Sequence, residues 1–160
     1  YGSANETRYA NDVTGMMEWL KGGSEPDTVA RAYFDPMRLL SLQTRNSAAY
    51  KGVMALVLKS GAVDFVSGKA MDFTVFLDEN IDIHHIFPKA FCVKEGYNKD
   101  KWNSIVNKTP LSAHTNRIIG GNKPSVYLKR IEKAGHVGEL DLNRYLETHL
   151  IGESDTRIYR

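Results

Sequence analysis

The sequence predicts an α+β fold that is mainly helical, with a small β-bearing segment in its second half. Three observations predict it. Amphipathic stretches of helical spacing fill much of residues 11–58 and return after residue 124. Near residue 81 the pattern changes, with Ile81, Ile83 and Ile86 separated by Asp and His in the manner of a strand. Ser112, a good N-cap, then opens a helix directly behind that segment. At 160 residues, 42% hydrophobic and 25% charged, the chain is long enough to bury one sizeable core. One domain is expected, with residues 1–77 as helical scaffold, 78–123 as the strand-bearing segment and 124–160 as C-terminal helices.

Taken in order, residues 11–20 form a short amphipathic helix and residues 27–34 a second candidate. Asp35-Pro36 has the form of an N-cap with proline at the first helical position, leading Met37, Leu39, Leu40 and Leu42 into a core. Asn46 can cap the next helix, whose Ala48, Ala49, Val53, Met54, Leu56, Val57 and Leu58 are apolar on most sides. That composition marks a central buried helix ending near Gly61. Gly68 and Lys69 suggest a turn, and residues 73–77 have β character. A strand from Ile81 ends at Pro88, which cannot continue regular pairing. Residues 89–95 suggest a helical turn into Gly96, and residues 102–106 a second strand. Ser112 caps a helix carrying Thr115, Asn116 and Arg117, which residues 120–124 terminate. Pro124-Ser125 begins a helix bearing Tyr127, Leu128 and Ile131, and Leu142, Tyr145, Leu146 and Leu150 supply a last amphipathic one.

The longest wholly apolar run, residues 53–58, is far too short to span a bilayer, and no basic-then-apolar signal opens the chain. A cytoplasmic protein with no membrane partner is therefore expected. Cys92 is the single cysteine, which excludes an internal disulfide and a four-cysteine zinc staple and leaves a packing role. Tyr1 stands where an initiator Met would, which suggests a piece of a longer protein. The net charge of +2 hides an asymmetry: residues 81–130 carry nine Lys/Arg against three acids, a net of +6, leaving −4 for the rest. Positive charge gathered in one segment suits a phosphate backbone, because neutralising phosphates releases counterions; by itself it equally describes a solvated Lys-rich face.

The richest stretch runs Asp82-Ile83-His84-His85-Ile86-Phe87-Pro88, then Asn107-Lys108-Thr109-Pro110-Leu111-Ser112, Thr115-Asn116-Arg117-Ile118-Ile119-Gly120 and Pro124-Ser125-Val126-Tyr127-Leu128. Strand alternation puts Asp82 and His84 on one side and His85 on the other, so neighbouring histidines can have different roles. These four blocks, in this order, resemble the HNH (ββα-metal) endonucleases, and most closely the C-terminal HNH domains of GmrSD-like restriction enzymes of bacterial anti-phage defence. The resemblance is strong over residues 78–128 and weaker from about residue 35.

The resemblance implies a mainly helical α+β domain with an embedded ββα-metal motif and a metal-dependent endonuclease that hydrolyses DNA. A phosphodiester repels its nucleophile, so hydrolysis needs a cation on the non-bridging oxygens and a base for water. It further implies His84 and Asn116 as metal ligands, His85 as the base, and Asn107 as the residue pinning the loop, leaving a backbone carbonyl to orient His85. Many relatives carry Asp where this chain has His84. A neutral imidazole there accepts Mg²⁺, the expected ion, and suits Mn²⁺, Ni²⁺ or Zn²⁺ better. Asp82 would touch the metal through water, orient a neighbour or cap the strand. Arg117 and Lys123 are the expected phosphate clamps, with Lys108 beside them. His114 is expected on the surface and Trp102 and Tyr127 in the core, while His136 and His149 have no partner pattern.

The sequence thus predicts DNA as partner and a sensor or NTPase-type domain or subunit outside this chain. Two other classes fit the same residues: a DNA-binding module that keeps the fold without activity, and a helical protein-interaction domain whose β insertion is structural. Metal-dependent plasmid nicking separates the first from the nuclease, and salt-sensitive DNA binding separates the second.

Overall fold

The computed structural model describes residues 6–71 and 82–152. The expected β segment at 73–77 lies outside them. The chain divides into two compact units, residues 1–36 and 37–160. In the first, α1 (Glu6–Leu20) packs with the single turn α2 (Asp27–Ala30), tied by a bond from the Thr28 hydroxyl to Asp12 at 2.9 Å. The helix expected over 27–34 stops at Ala30.

The second unit is α+β and mainly helical. Its described elements are α3 (Met37–Ser41), α4 (Ala48–Lys59), β1 (Asp82–His85), α5 (Lys89–Lys94), α6 (Lys99–Trp102), a 3₁₀ turn (Ile105–Asn107), β2 (Lys108–Leu111), α7 (Ala113–Ile119), α8 (Pro124–Gly135) and α9 (Glu139–Glu147). The two strands pair antiparallel, with His84 opposite Thr109 and His85 opposite Lys108. Strand, strand and following helix therefore form a ββα unit with two short helices between the strands.

The second strand begins later than the sequence suggests. Residues 102–106, expected to be extended, end α6 and enter the 3₁₀ turn. Asn98 accounts for this, because its side chain accepts the Asp100 N–H at 2.7 Å and starts a helix that the apolar Trp102, Ile105 and Val106 then follow. α7 starts as expected, with the Ser112 hydroxyl accepting Thr115 N–H at 3.1 Å.

Two cores hold this unit. The larger gathers Phe65, Leu111, Ile119, Tyr127, Leu128, Ile131, Leu142 and Leu146, so it lies among β2, α7, α8 and α9. The smaller joins Tyr50, Met54 and Ile105 to Leu39, Leu42 and Ile83. α4 is therefore not the central buried helix. It buries only Tyr50 and Met54, one turn apart, and leaves Leu56 at 66% exposure. Its cap is Ser47 rather than Asn46, the hydroxyl accepting Tyr50 N–H at 3.2 Å. Leu150, expected on the last helix, lies beyond it with a left-handed backbone and 77% exposure, and Ile151 fills the core in its place.

Candidate active site

His85 ends β1 half-buried, against the edge of Trp102 at 5.6 Å between ring centroids. Its Nε2 lies 3.3 Å from Asn103 Oδ1. A carbonyl oxygen only accepts, so this contact puts the ring proton on Nε2 and the lone pair on Nδ1. Burial lowers the His85 pKa, the Asn103 bond opposes the change, and the cations Lys108 and Lys89 lower it further. The ring is neutral at pH 7.

The side of β1 that carries Ile83 and His85 borders a cavity of about 470 Å³, which Gln43, Arg45, Asn46, Tyr50 and Lys108 also line. Lys108 Nζ donates to Gln43 O at 2.7 Å and stands 5.6 Å above the centre of the Tyr50 ring. Burial lowers the Lys108 pKa and pushes that of Tyr50 up to about 12, against the opposing charge of Arg45. Tyr50 thus keeps its hydroxyl proton. No carboxylate is among the described residues lining this space, which offers cations and donors.

Asn107, 8% exposed, clamps the turn after β1. Its Oδ1 accepts Phe87 N–H at 2.8 Å, and its Nδ2 donates to Phe87 O at 3.0 Å and to Trp102 O at 2.8 Å. The Asn107 carbonyl accepts Ile86 N–H at 2.9 Å, and the Tyr127 hydroxyl donates to Ile86 O at 2.8 Å. The backbone groups of residues 86 and 87 are thus satisfied by the 3₁₀ turn and α8, which fixes where β1 ends.

On the other face of the sheet, His84 is buried opposite Thr109, whose hydroxyl meets His149 Nδ1. His149 Nε2 in turn meets Val63 O at 2.7 Å. Burial lowers the His149 pKa, with the Val63 bond and the charge of Asp64 opposing. Asp64 supports the start of α7: its carboxylate accepts Ser112 N–H at 3.0 Å and the Thr115 hydroxyl at 2.8 Å, besides Val66 N–H at 3.1 Å and Ser67 N–H at 3.0 Å. Burial alone would raise its pKa, but these bonds outweigh it and hold the carboxyl below the usual carboxylate value. α7 also packs on β1, bringing the helix of Asn116 across the strand of His84.

No protein-family model matches the chain, and no solved structure matches it. It is similar to the uncharacterized protein MJ0686 of Methanocaldococcus jannaschii, 27% identical over 172 residues covering 100% of this chain. The chain spans 29% of that relative's length.

Of the residues singled out in the sequence, His85, Lys108 and Asn107 gather around the end of β1, with His84 one residue earlier on the same strand and Asn116 on α7, which packs on it. Arg117 and Lys123 are exposed on and after α7 and do not line the His85 cavity. Asp82 pairs with Leu111 through the backbone. Among the described residues no group of three His, Cys, Asp or Glu side chains converges as a metal site, and no helix is long and apolar enough to cross a membrane. Asn103, Arg45, Tyr50 and Asp64 stand out only in the folded chain, and there His149 gains the partners that its spacing did not suggest. Asn103 sits four residues before Asn107, but only the folded turn of α6 shows that its amide meets His85.

Proposed function

We propose that this chain is a metal-dependent HNH endonuclease domain that hydrolyses DNA phosphodiester bonds, as the effector module of a restriction or anti-phage system. The observation that carries the reading is His85: a neutral imidazole with its lone pair on Nδ1, facing a cavity of cationic and donor groups, at the end of a strand clamped by Asn107. Nδ1 takes the proton of an attacking water, while Asn103 Oδ1 accepts a hydrogen bond from Nε2–H and keeps the ring oriented through the transfer. Lys108 and Arg45 attract the phosphate, and the Tyr50 hydroxyl is a further donor. His84 and Asn116 are the ligands we assign to a divalent ion. One imidazole nitrogen and one amide oxygen are neutral donors that suit a cation whose charge is balanced by phosphate. Such an ion, when bound, supplies charge neutralisation at the non-bridging oxygens. Sequence or modification recognition, and a sensor or NTPase-type partner, belong to parts of the whole protein outside this chain.

The test is conversion of supercoiled plasmid to nicked or linear form by the purified chain with Mg²⁺ or Mn²⁺. We expect cleavage that chelation abolishes and His85→Ala suppresses. A wild-type chain that binds DNA with salt sensitivity yet never cuts it with any of Mg²⁺, Mn²⁺, Ni²⁺ or Zn²⁺ would be a binding module instead.

A further inference from the structure

A second cavity, of about 610 Å³, is lined by Trp102 but not by His85, whose ring meets the Trp102 edge. Its walls include Phe87, Tyr97, Trp102 and Val106, with Asn98 and Lys101 among the lining residues. This is a built aromatic surface: Phe87 stacks on Phe91 at 6.4 Å and 26°, and Phe91 meets the edge of Tyr97 at 5.9 Å and 72°. Tyr97 and Val106 are nevertheless 54% and 53% exposed. Asn98 has its Oδ1 committed to Asp100 N–H, so its Nδ2 is the donor it can offer a ligand. α5, α6 and their flanks carry Lys89, Lys94, Lys99 and Lys101 against Glu95 and Asp100, and Asp100 is already engaged by the Gln43 amide at 3.2 Å.

Apolar, aromatic walls with one cation, Lys101, in the lining and a lysine surplus on the surrounding helices match a ligand that is planar and apolar on its faces and anionic along its chain. An unpaired nucleotide has that chemistry: its base stacks on aromatic rings and its phosphate meets lysine. We propose that this cleft seats one unstacked nucleobase of single-stranded or locally opened DNA, with Tyr97 as stacking platform and Lys101 on the adjoining phosphate. Trp102 is then the partition between the base subsite and His85, so that the seated base sets which phosphate reaches the His85 cavity. The inference rests on the nuclease reading for its biological purpose, while base binding itself is measured without cleavage.

The experiment uses the full chain with Trp19→Phe, leaving Trp102 as the single tryptophan reporter, without added metal. Short oligodeoxythymidylate should change Trp102 emission saturably. An oligonucleotide of equal length made of abasic residues should bind roughly ten-fold more weakly, the usual worth of one base–aromatic stack. Tyr97→Ala should lose the same factor, Tyr97→Phe should keep it, and Lys101→Ala should reduce the log–log salt slope by about 0.7, one single-strand phosphate contact. Equal binding of the abasic strand, or DNA binding that leaves Trp102 emission unchanged, overturns the proposal. So does a concentration-dependent emission change without DNA, which would give the cleft to a second copy of the chain. A protein that seats bases but cuts nothing would retain this subsite and lose the nuclease assignment; one that cuts without any Trp102 response would do the reverse.

Discussion

In the proposed site His85 and Asn103 share one function: the imidazole holds the lone pair assigned to the base, and the amide decides which nitrogen has it. Replacing His85 by Ala should lower plasmid cleavage by roughly 10²- to 10⁴-fold, the worth of a positioned general base, with little change in DNA affinity. A variant that cuts at the wild-type rate would remove His85 from that role. The pH dependence has a definite sign. Burial and the nearby lysines depress the His85 pKa below 6.5, and a histidine general base works in its neutral form. Activity should therefore rise through a limb centred below 6.5 and stay flat through neutrality. Lys108→Met removes one depressing charge, so the limb should move to higher pH, as a rate profile taken from about pH 5 to 8 would show. For the proposed metal ligands, calorimetric titration with Mn²⁺ should show weaker binding in His84→Ala and in Asn116→Ala. Unchanged affinity in both places the ion elsewhere.

Asn107, just before β2, and Asp64, between α4 and β1, act on whole elements, one fixing the exit of a strand and the other the start of α7. Asn107→Ala leaves the buried backbone groups of Phe87 and Trp102 without their amide partner, at a cost of roughly 1–3 kcal/mol. Thermal unfolding should register that loss for Asn107→Ala and much less for His85→Ala; the reverse order would separate Asn107 from loop anchoring. Acid stability follows from the same polar interior. The folded-state pKa values of His149 and His85 are depressed below 6.5, so their contribution is complete above that value and is lost as pH falls through the folded pKa. Asp64, depressed below 3.8, adds a second loss at lower pH. Melting temperature should fall in two stages, and His149→Gln should shrink the first while sparing the second. Much of this was legible in the sequence where local chemistry decides. Ser112 reads as a cap because its hydroxyl reaches a backbone N–H three residues on, and Pro124 reads as a helix start because its fixed φ suits the first turn. Asp64 and His149 were not legible, since their long-range partners lie 40 to 86 residues away and no period or spacing links them. The onset of β2 failed for a related reason: apolar residues at 102–106 suit a strand or a short buried helix equally, and the Asn98 cap decides between them.

For the chain as a whole, the question is how a charge surplus of +6 over residues 81–130 is used. The fold separates these cations, with Lys108 beside His85 and Arg117 and Lys123 exposed away from that cavity. It also adds Arg45, from the half of the chain whose charge balance is negative. If the cations around His85 hold the reacting phosphate while Arg117 and Lys123 track the duplex further along, the two sets should respond differently to substitution. In a cleavage-dead His85→Ala background, Arg117→Ala or Lys123→Ala should weaken binding similarly for unrelated duplexes and reduce the log–log salt slope by about 0.9 per lost phosphate contact. Arg45→Ala, measured in the active protein, should instead depress the cleavage rate more than it weakens binding, because its contact is with the phosphate that reacts. A change in base preference at one position with an unaltered slope would mean that Arg117 or Lys123 reads a base edge. A flat salt dependence in the parent protein would reduce the basic segment to a solvated face and transfer DNA holding to a region of the whole protein outside this chain.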